Sequence, residues 1–183
     1  MRIAVLSGKG GTGKTTVAAS IAASLPKCQY VDCDAEEPNG ALFLRPVITE
    51  IAPVEVAVPA VNQTACTGCG VCAAVCRFNA LAAVGGKVLV FEEICRHCGA
   101  CGIACPQGAI HEVMKRVGVV EADETELFLQ GRLDVGEFIA VPVIDALKKR
   151  LRDDVPVILD GAPGASCPVV RTIEGCDYCI LVA

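Results

Sequence analysis

The chain has 183 residues, of which 53% are hydrophobic, 21 are acidic and 16 are basic, giving a net charge of −5. This composition supplies apolar material for a folded core and argues against a disordered chain or a nucleic-acid-binding protein, which needs a basic stripe. There is no apolar run of about 18 residues and no signal-peptide layout, so we expect a cytoplasmic protein without a membrane span. Its 13 cysteines then indicate metal binding or redox chemistry rather than disulfides.

The N-terminal segment predicts a strand, a glycine-rich loop and a helix. Residues 3–6 form a short apolar run typical of a buried parallel strand. From Lys14 onward, apolar residues recur at helical spacing until Pro26. The loop between strand and helix fits the G-x-x-x-x-G-K-[ST] pattern, whose backbone N–H groups bind phosphate at the helix N-terminus. The candidate nucleotide-binding residues are Gly8, Lys9, Gly10, Gly11, Thr12, Gly13, Lys14, Thr15 and Thr16.

Further strands and one amphipathic helix follow along the chain. The helix is predicted over residues 143–151, with its apolar side chains on one face. Apolar runs predict strands at residues 29–33, 54–61, 117–120, 127–129, 155–159 and 179–183. Strands that alternate with helices predict a mostly parallel sheet with right-handed crossovers, so the expected fold class is α/β.

The composition changes between residues 62 and 112, where eight of the 13 cysteines fall. They form two runs with the same C-x2-C-x2-C-x3-C spacing, and the second run repeats the first at an offset of 29 residues. Cys-x2-Cys pairs also bind zinc, but zinc sites join two pairs across a longer gap. The spacing therefore indicates iron–sulfur ligands in a small domain inserted into the sheet. The runs are Cys66, Cys69, Cys72, Cys76 and Cys95, Cys98, Cys101, Cys105.

The other five cysteines lie outside this window. We expect four of them to be packing residues, because small thiols are common in buried strands. The role of Cys167, which follows a glycine-containing loop, stays open. These five are Cys28, Cys33, Cys167, Cys176 and Cys179.

The phosphate loop carries an additional lysine, Lys9, and thereby resembles the deviant Walker loop of the family that includes MinD, ParA and the nitrogenase iron protein. In that family the first lysine reaches across an ATP-bound dimer to the nucleotide of the other subunit. The resemblance implies that Lys9 and Lys14 are catalytic, that the nucleotide is ATP, and that the chain forms a homodimer when ATP binds. Lys14 would contact the β- and γ-phosphates.

Two acidic segments resemble the switch regions of the same family. The pair Asp32 and Asp34 ends the second predicted strand, and residues 157–164 contain a strand-end carboxylate, Asp160, followed by glycines. The resemblance implies that Asp34 is catalytic and polarises the attacking water. It also implies that Mg²⁺ is associated with Thr15, Asp32, Asp34 and Asp160.

The cysteine window resembles a bacterial two-cluster ferredoxin, which is a small α+β domain. In that pattern the fourth cysteine of each run serves the other cluster. The resemblance implies one [4Fe–4S] cluster on set 1 (Cys66, Cys69, Cys72 and Cys105) and another on set 2 (Cys95, Cys98, Cys101 and Cys76). Arg77 stands where this pattern has a proline, and a cation beside a negatively charged cluster should raise its reduction potential.

Together these resemblances imply a discontinuous P-loop nucleotide-binding domain, residues 1–61 and 113–183, with an inserted two-cluster ferredoxin domain, residues 62–112. Members of this family continue past the strand at residues 179–183, so we expect the C-terminal part of the P-loop domain to be missing from this chain. The sequence does not support amidotransferase chemistry, because no glutaminase part is visible in this chain.

Two functions stay open at this point. One is ATP hydrolysis that gates electron transfer through two [4Fe–4S] clusters, and the other is ATP-dependent delivery of a metal or an iron–sulfur cluster. A ferredoxin with a degraded nucleotide domain is disfavoured, because Lys14, Thr15, Asp34 and Asp160 are all present. Either open function implies a redox or metal-acceptor protein as partner, and neither implies nucleic acid.

Overall fold

The computed structural model describes residues 1–183. The chain divides into two compact units: the sheet unit, Met1–Val54 with Val117–Ala183, and the cysteine unit, Glu55–Arg116. The predicted insert, residues 62–112, lies inside the cysteine unit. None of the helices combines the length and the apolar character needed to cross a membrane.

Nine strands and six α-helices make up the two units. Every predicted strand and helix overlaps an observed element, and four short α-helices and the two strands of a hairpin are additional. In chain order the elements are β1 Arg2–Ser7, α1 Lys14–Ser24, β2 Gln29–Asp32, α2 Gly40–Leu44, β3 Ile48–Val61, α3 Val71–Val75, β4 Leu81–Val84, β5 Lys87–Val90, a 3₁₀ turn Glu92–Ile94, α4 Ala100–Ala104, β6 Ile110–Asp123, β7 Phe128–Leu133, α5 Val141–Lys148, β8 Val157–Pro163, α6 Cys167–Ile173 and β9 Tyr178–Val182.

The main sheet has seven strands in the order β3-β6-β7-β2-β8-β1-β9. β1 runs parallel to β8 and β9, and β2 runs parallel to β7 and β8, whereas β6 and β7 are antiparallel. This arrangement confirms the predicted α/β class with a mostly parallel sheet. In the pairing of β2 with β8, Asp32 lies opposite Asp160. The carboxyl ends of these two central strands therefore bring the two predicted acidic segments together.

The central strands are buried because helices cover them. All four residues of β2 are buried, as parallel strands between helical layers require. Helix α1 buries the small residues Ala18, Ala19 and Ala22, which let it approach the sheet closely. Helix α5 lies close to β7, since a Cβ added to Gly131 would come within 2.6 Å of Val143. Glycine at this position thus allows the close contact between helix and strand.

The edge strands differ from the central ones in composition. β3 lies at one edge and contains Pro53 and Pro59, which lack the N–H needed for a ladder on both sides. β9 lies at the other edge.

Cys33 is fully buried, whereas Cys179 on β9 is exposed. The expected packing role of Cys179 is therefore wrong, because an edge strand leaves this side chain open to solvent.

The cysteine unit contains the two short helices α3 and α4 and the antiparallel hairpin of β4 and β5. The hairpin turns at Gly85 and Gly86, whose φ angles are 58° and 77°. Positive φ at both central residues is the requirement of a two-residue type I′ turn. The buried core of this unit consists of Cys72, Ala80, Leu81, Val88, Cys95 and Cys101.

Candidate functional site

The glycine-rich loop between β1 and α1 is shaped by two residues with positive φ, Gly11 at 78° and Gly13 at 87°. A Cβ at either position would meet no atom within 4 Å, so backbone conformation and not space calls for glycine there. The Gly13 carbonyl accepts the first helical hydrogen bond from the Val17 N–H at 3.0 Å. The loop therefore leads directly into the N-terminus of α1, where the helix dipole favours an anion.

This loop lines a cavity of about 400 Å³, a size typical of small-ligand sites. Of the predicted site residues, Gly8, Lys9, Asp32 and Asp160 are not among the lining residues. The Thr12 hydroxyl oxygen is buried without a hydrogen-bond partner and is thus free to bind a ligand oxygen. The lining residues are Ser7, Gly10, Gly11, Thr12, Gly13, Lys14, Thr15, Thr16, Asp34, Glu37, Asn39, Leu42, Phe43 and Pro163.

Lys14 joins the loop to both acidic segments. Its buried ammonium donates to Asp160 Oδ1 at 2.8 Å and lies 3.7 Å from Asp34 Oδ2. It also lies 3.4 Å from Thr15 Oγ1. Lys14 and its neighbour Thr15 therefore meet Asp34 and Asp160, which are distant from them in sequence, at the predicted phosphate and Mg²⁺ site.

Tyr30 is a member of this network that the sequence analysis did not identify. Its hydroxyl donates to Asp160 Oδ2 at 2.9 Å, and its ring stacks on Phe128 with centroids 5.6 Å apart. Burial, together with the charges of Asp32 and Asp160, raises the pKa of Tyr30, so the hydroxyl stays protonated and donates. The sequence signal that could have identified Tyr30 is its place in a predicted strand, where a buried tyrosine hydroxyl needs a hydrogen-bond partner.

Asp32 is fully buried and accepts three backbone hydrogen bonds. Its Oδ1 accepts from the Asp34 N–H at 3.1 Å, and its Oδ2 accepts from Asn39 at 3.1 Å and Gly40 at 2.8 Å. Burial and the charge of Asp160 raise its pKa to about 7, although the Gly40 and Asp34 hydrogen bonds oppose this shift. The geometry favours a positioning role for Asp32, and its contact with Mg²⁺ stays a prediction.

Asp34 differs from Asp32 because its side chain reaches the cavity. Burial raises its pKa, and the nearby Lys14 ammonium opposes that shift. Lys9, in contrast, is exposed, and its carbonyl accepts a hydrogen bond from the Ser7 hydroxyl at 3.0 Å. The Lys9 side chain is therefore not part of the network around Lys14.

Two further cavities lie within the cysteine unit, and each is lined by four cysteines. One contains Cys66, Cys69, Cys72 and Cys105, which are the residues of set 1. The other contains Cys76, Cys95, Cys98 and Cys101, which are the residues of set 2. The structure thus places three cysteines of one run beside the fourth cysteine of the other run at both cavities.

The two runs share their backbone conformation as well as their spacing. Helix α4 repeats α3 at the same offset of 29 residues. The Ala80 N–H donates to Cys76 Sγ at 3.3 Å, and the Ala109 N–H donates to Cys105 Sγ at 3.3 Å. Positive φ angles recur in three matched pairs, Gly68 with His97, Gly70 with Gly99, and Asn79 with Gly108.

At Cys105 the backbone N–H groups favour ionised sulfur. Backbone hydrogen bonds, led by the one from Ala109, lower the pKa of Cys105, whereas burial raises the pKa of Cys72 and Cys101. No three His, Cys, Asp or Glu side chains meet closely enough to bind a single metal ion. A [4Fe–4S] cluster has a different requirement, one thiolate for each of four iron atoms. Four unpaired cysteines per cavity are a donor set of that kind.

The parallel sheet, the glycine loop and the lysine–aspartate network together define a P-loop nucleotide-binding protein. Residues 3–154 match the family described as the CobQ/CobB/MinD/ParA nucleotide binding domain. The chain belongs to this family.

Two relatives from Methanocaldococcus jannaschii match the whole chain. The uncharacterized protein MJ0578 is 30% identical over 191 residues, and the match covers 67% of its length. The uncharacterized protein MJ0579 is 30% identical over 197 residues, and the match covers 68% of its length. A shorter match, 51% identical over 47 residues, is to an iron-sulfur cluster carrier protein of Pyrococcus horikoshii and covers 24% of this chain and 16% of that protein.

Proposed function

We propose that this chain is a Mg²⁺-dependent ATPase that carries two [4Fe–4S] clusters and gates electron transfer by its nucleotide state. The observation that carries the proposal is that one chain contains both a candidate nucleotide site and two candidate cluster sites. The sheet unit holds a lysine–aspartate network beside a phosphate loop, and the cysteine unit holds two cavities with four cysteines each.

The nucleotide chemistry follows from the contacts of Lys14. Its ammonium is held by Asp160 and Asp34, and phosphate oxygens in the cavity would compete with these carboxylates for the same cation. Transfer of Lys14 to the phosphates would free the two carboxylates to bind Mg²⁺ and the attacking water, with Thr15 as a further Mg²⁺ ligand.

The same exchange supplies a motion that depends on the nucleotide. Asp34 lies in the loop after β2, and Asp160 is followed by a backbone with positive φ at Gly164, at 94°. Loops held by a γ-phosphate relax when it leaves. Lys9 lies on the phosphate loop and is exposed. We expect it to contact the nucleotide of a second copy in an ATP-bound homodimer.

In the cysteine unit, set 1 and set 2 would each hold one cluster, which supplies one-electron redox chemistry when bound. The chain's own contribution is the geometry of the thiolates and the N–H groups of Ala80 and Ala109 that point at sulfur. Such hydrogen bonds tune the reduction potential of a bound cluster.

The decisive experiment measures both midpoint potentials of the full chain, reconstituted with iron and sulfide under argon, with and without MgATP. A shift on adding MgATP supports gating, and MgADP serves as the control. Unchanged potentials would contradict gating. Lys14→Ala must abolish both the ATP turnover and the shift, and ATP turnover that survives this substitution would overturn the assigned nucleotide site.

The second candidate function is ATP-dependent delivery of a metal or an iron–sulfur cluster. It is favoured by the match to an iron-sulfur cluster carrier protein. The same preparation tests it: transfer of radiolabelled iron to an apo-ferredoxin is measured with MgATP, with MgADP and without nucleotide. Transfer that requires MgATP, combined with unchanged potentials, favours delivery over gating.

A further inference from the structure

The two cysteine sets are equivalent by the internal repeat, but the side chains beside them are not. Cys76 of set 2 is followed by Arg77 and Phe78, and Cys95 of set 2 is followed by Arg96. The repeat places uncharged residues at each matching position beside set 1. The counterparts of Arg77, Phe78 and Arg96 are Pro106, Gln107 and Thr67.

The residues beside set 2 also contact one another. The Arg96 guanidinium lies 5.9 Å from the centroid of the Phe78 ring, which is the distance range of a cation–π interaction. All three residues, Arg77, Phe78 and Arg96, are exposed. The aromatic ring therefore restrains Arg96 beside the segment that carries Cys76 and Arg77. At set 1, threonine and glutamine at the matching positions offer neither a cation nor a ring.

Other charged residues also lie near the two cavities. Glu112 lines the set 2 cavity, whereas Arg77 and Arg96 adjoin its cysteines in sequence without lining it. Lys87 precedes Val88, which lines the set 1 cavity. Glu92 forms an ion pair with Lys115 at 3.3 Å, and these two charges offset one another. The residues that line the set 1 cavity include no Asp, Glu, Lys or Arg. Arginines directly adjoin two cysteines of set 2, whereas no Lys or Arg directly adjoins a cysteine of set 1.

We infer that Arg77 and Arg96, the latter held on Phe78, make the cluster bound by set 2 more easily reduced than the cluster bound by set 1. This inference rests on the proposed function, since it requires both clusters. Reduction adds one electron from an external one-electron donor, and no bond forms or breaks. The added negative charge is stabilised by adjacent cations, which raises the reduction potential. A single electron entering the protein then resides at set 2.

The test is a potentiometric titration with dithionite of the reconstituted full chain, followed by electron paramagnetic resonance. Arg96→Gln should lower the higher of the two midpoint potentials and leave the lower one in place. Phe78→Leu keeps Arg96 but removes the ring that restrains its guanidinium, so it should produce a smaller shift of the same midpoint. Arg116→Gln removes an exposed cation of the same unit that adjoins neither a cysteine nor a residue lining either cysteine cavity, and it should leave the gap between the midpoints unchanged.

The repeat also allows the opposite experiment. The double variant Thr67→Arg with Gln107→Phe transfers the pair to set 1, and it should raise the lower midpoint and narrow the gap. The inference is overturned if Arg96→Gln moves neither midpoint, moves both equally, or moves the lower one. A chain that binds no iron would overturn the proposed function itself, whereas a fully loaded chain with unshifted midpoints overturns this inference alone.

Discussion

The sheet unit and the cysteine unit build their sites from different materials. In the sheet unit the core is formed by residues such as Val31, Leu129 and Ile158, and the lysine–aspartate network lies at the ends of strands that are buried independently of it. In the cysteine unit three of the six core residues are themselves cysteines of the two sets. One unit therefore supports its site, whereas the other uses its candidate ligands as its core.

This difference predicts that the folding of the cysteine unit depends on its bound groups more than the folding of the sheet unit does. A unit limited to residues 55–116 has little apolar surface to bury, and small domains of this size are marginally stable without a staple such as a metal. The sheet unit has a larger core that does not include its nucleotide site. We therefore expect loss of the clusters to unfold the cysteine unit, and loss of the nucleotide to leave the sheet unit folded.

The largest expected effect comes from removing a buried cysteine of the core. Cys101→Ala should reduce the bound iron by about half, because only set 2 loses a ligand. It should also reduce, without abolishing, the protection of residues 55–116 from hydrogen exchange, because set 1 keeps its cluster, while residues 117–183 keep their full protection. Iron analysis and hydrogen-exchange mass spectrometry measure both effects. Cys179→Ala, which alters an exposed thiol on β9, is the matched control. Unchanged iron in Cys101→Ala would contradict the assignment of set 2.

A complementary change affects the sheet unit alone. Lys14→Ala should slow ATP turnover by about 100-fold or more, since removing one charged donor from developing phosphate charge has an effect of this order. Its iron content and both cluster spectra should stay unchanged. Lys149→Ala, an exposed lysine at the end of α5, serves as control. A loss of iron in Lys14→Ala would show that the two units are not as independent as their cores indicate.

A smaller effect is expected for Tyr30→Phe. This change removes the donor to Asp160 Oδ2 and leaves a buried carboxylate oxygen unsatisfied, at about 1–3 kcal/mol of unfolding free energy. It should also raise the Mg²⁺ concentration needed for half-maximal ATP turnover, because Asp160 is less firmly oriented. The chain has one other tyrosine, Tyr178, which is exposed, so Tyr178→Phe is the control. Equal Mg²⁺ dependence in both variants would exclude Tyr30 from the network.

The smallest effect concerns Glu121, which accepts hydrogen bonds from Arg132 at 2.6 Å and from Gln130. Burial would raise the pKa of Glu121, but these hydrogen bonds outweigh it and the pKa lies below its ordinary value. The stabilisation is therefore complete at pH 7 and is lost as the pH falls through the lowered pKa. Glu121→Gln should reduce the unfolding free energy by about 1 kcal/mol at pH 7. Denaturant titration measures this, with the exposed Glu124→Gln expected to have no effect.

The local motifs were accessible from the sequence because their chemistry depends on short spacings. The phosphate loop and the two cysteine runs are contiguous patterns, and the mostly parallel sheet followed from alternating strands and helices. Tyr30 and the role of Asp32 were not accessible, since both depend on which strands become neighbours. Asp32 and Asp160 are cross-strand neighbours only because β2 pairs with β8, although more than 120 residues separate them in sequence.

Two of the short helices that the sequence did not predict, α2 and α6, carry weak sequence signals of their own. Helix α2 has only five residues and begins with glycine, and its N-terminus is held by Asp32, a contact outside the helix. Helix α6 starts at Cys167 with a proline in its first turn and is too short for a clear apolar period. Elements of one or two turns are stabilised by tertiary contacts more than by their own sequence. Their position therefore depended on the surrounding fold.

The place of β1 in the sheet has a consequence for synthesis on the ribosome. β1 is made long before its two neighbours, β8 and β9, which follow it by more than 140 residues. Both its edges stay unpaired until residues 157–182 emerge, and unpaired strand edges invite aggregation. The cysteine unit, in contrast, is one continuous stretch of chain, residues 55–116, and its β4–β5 hairpin pairs wholly within that stretch. The cysteine unit can thus fold before β1 acquires its neighbours, and a chaperone that shields β1 would act until residues 157–182 have emerged.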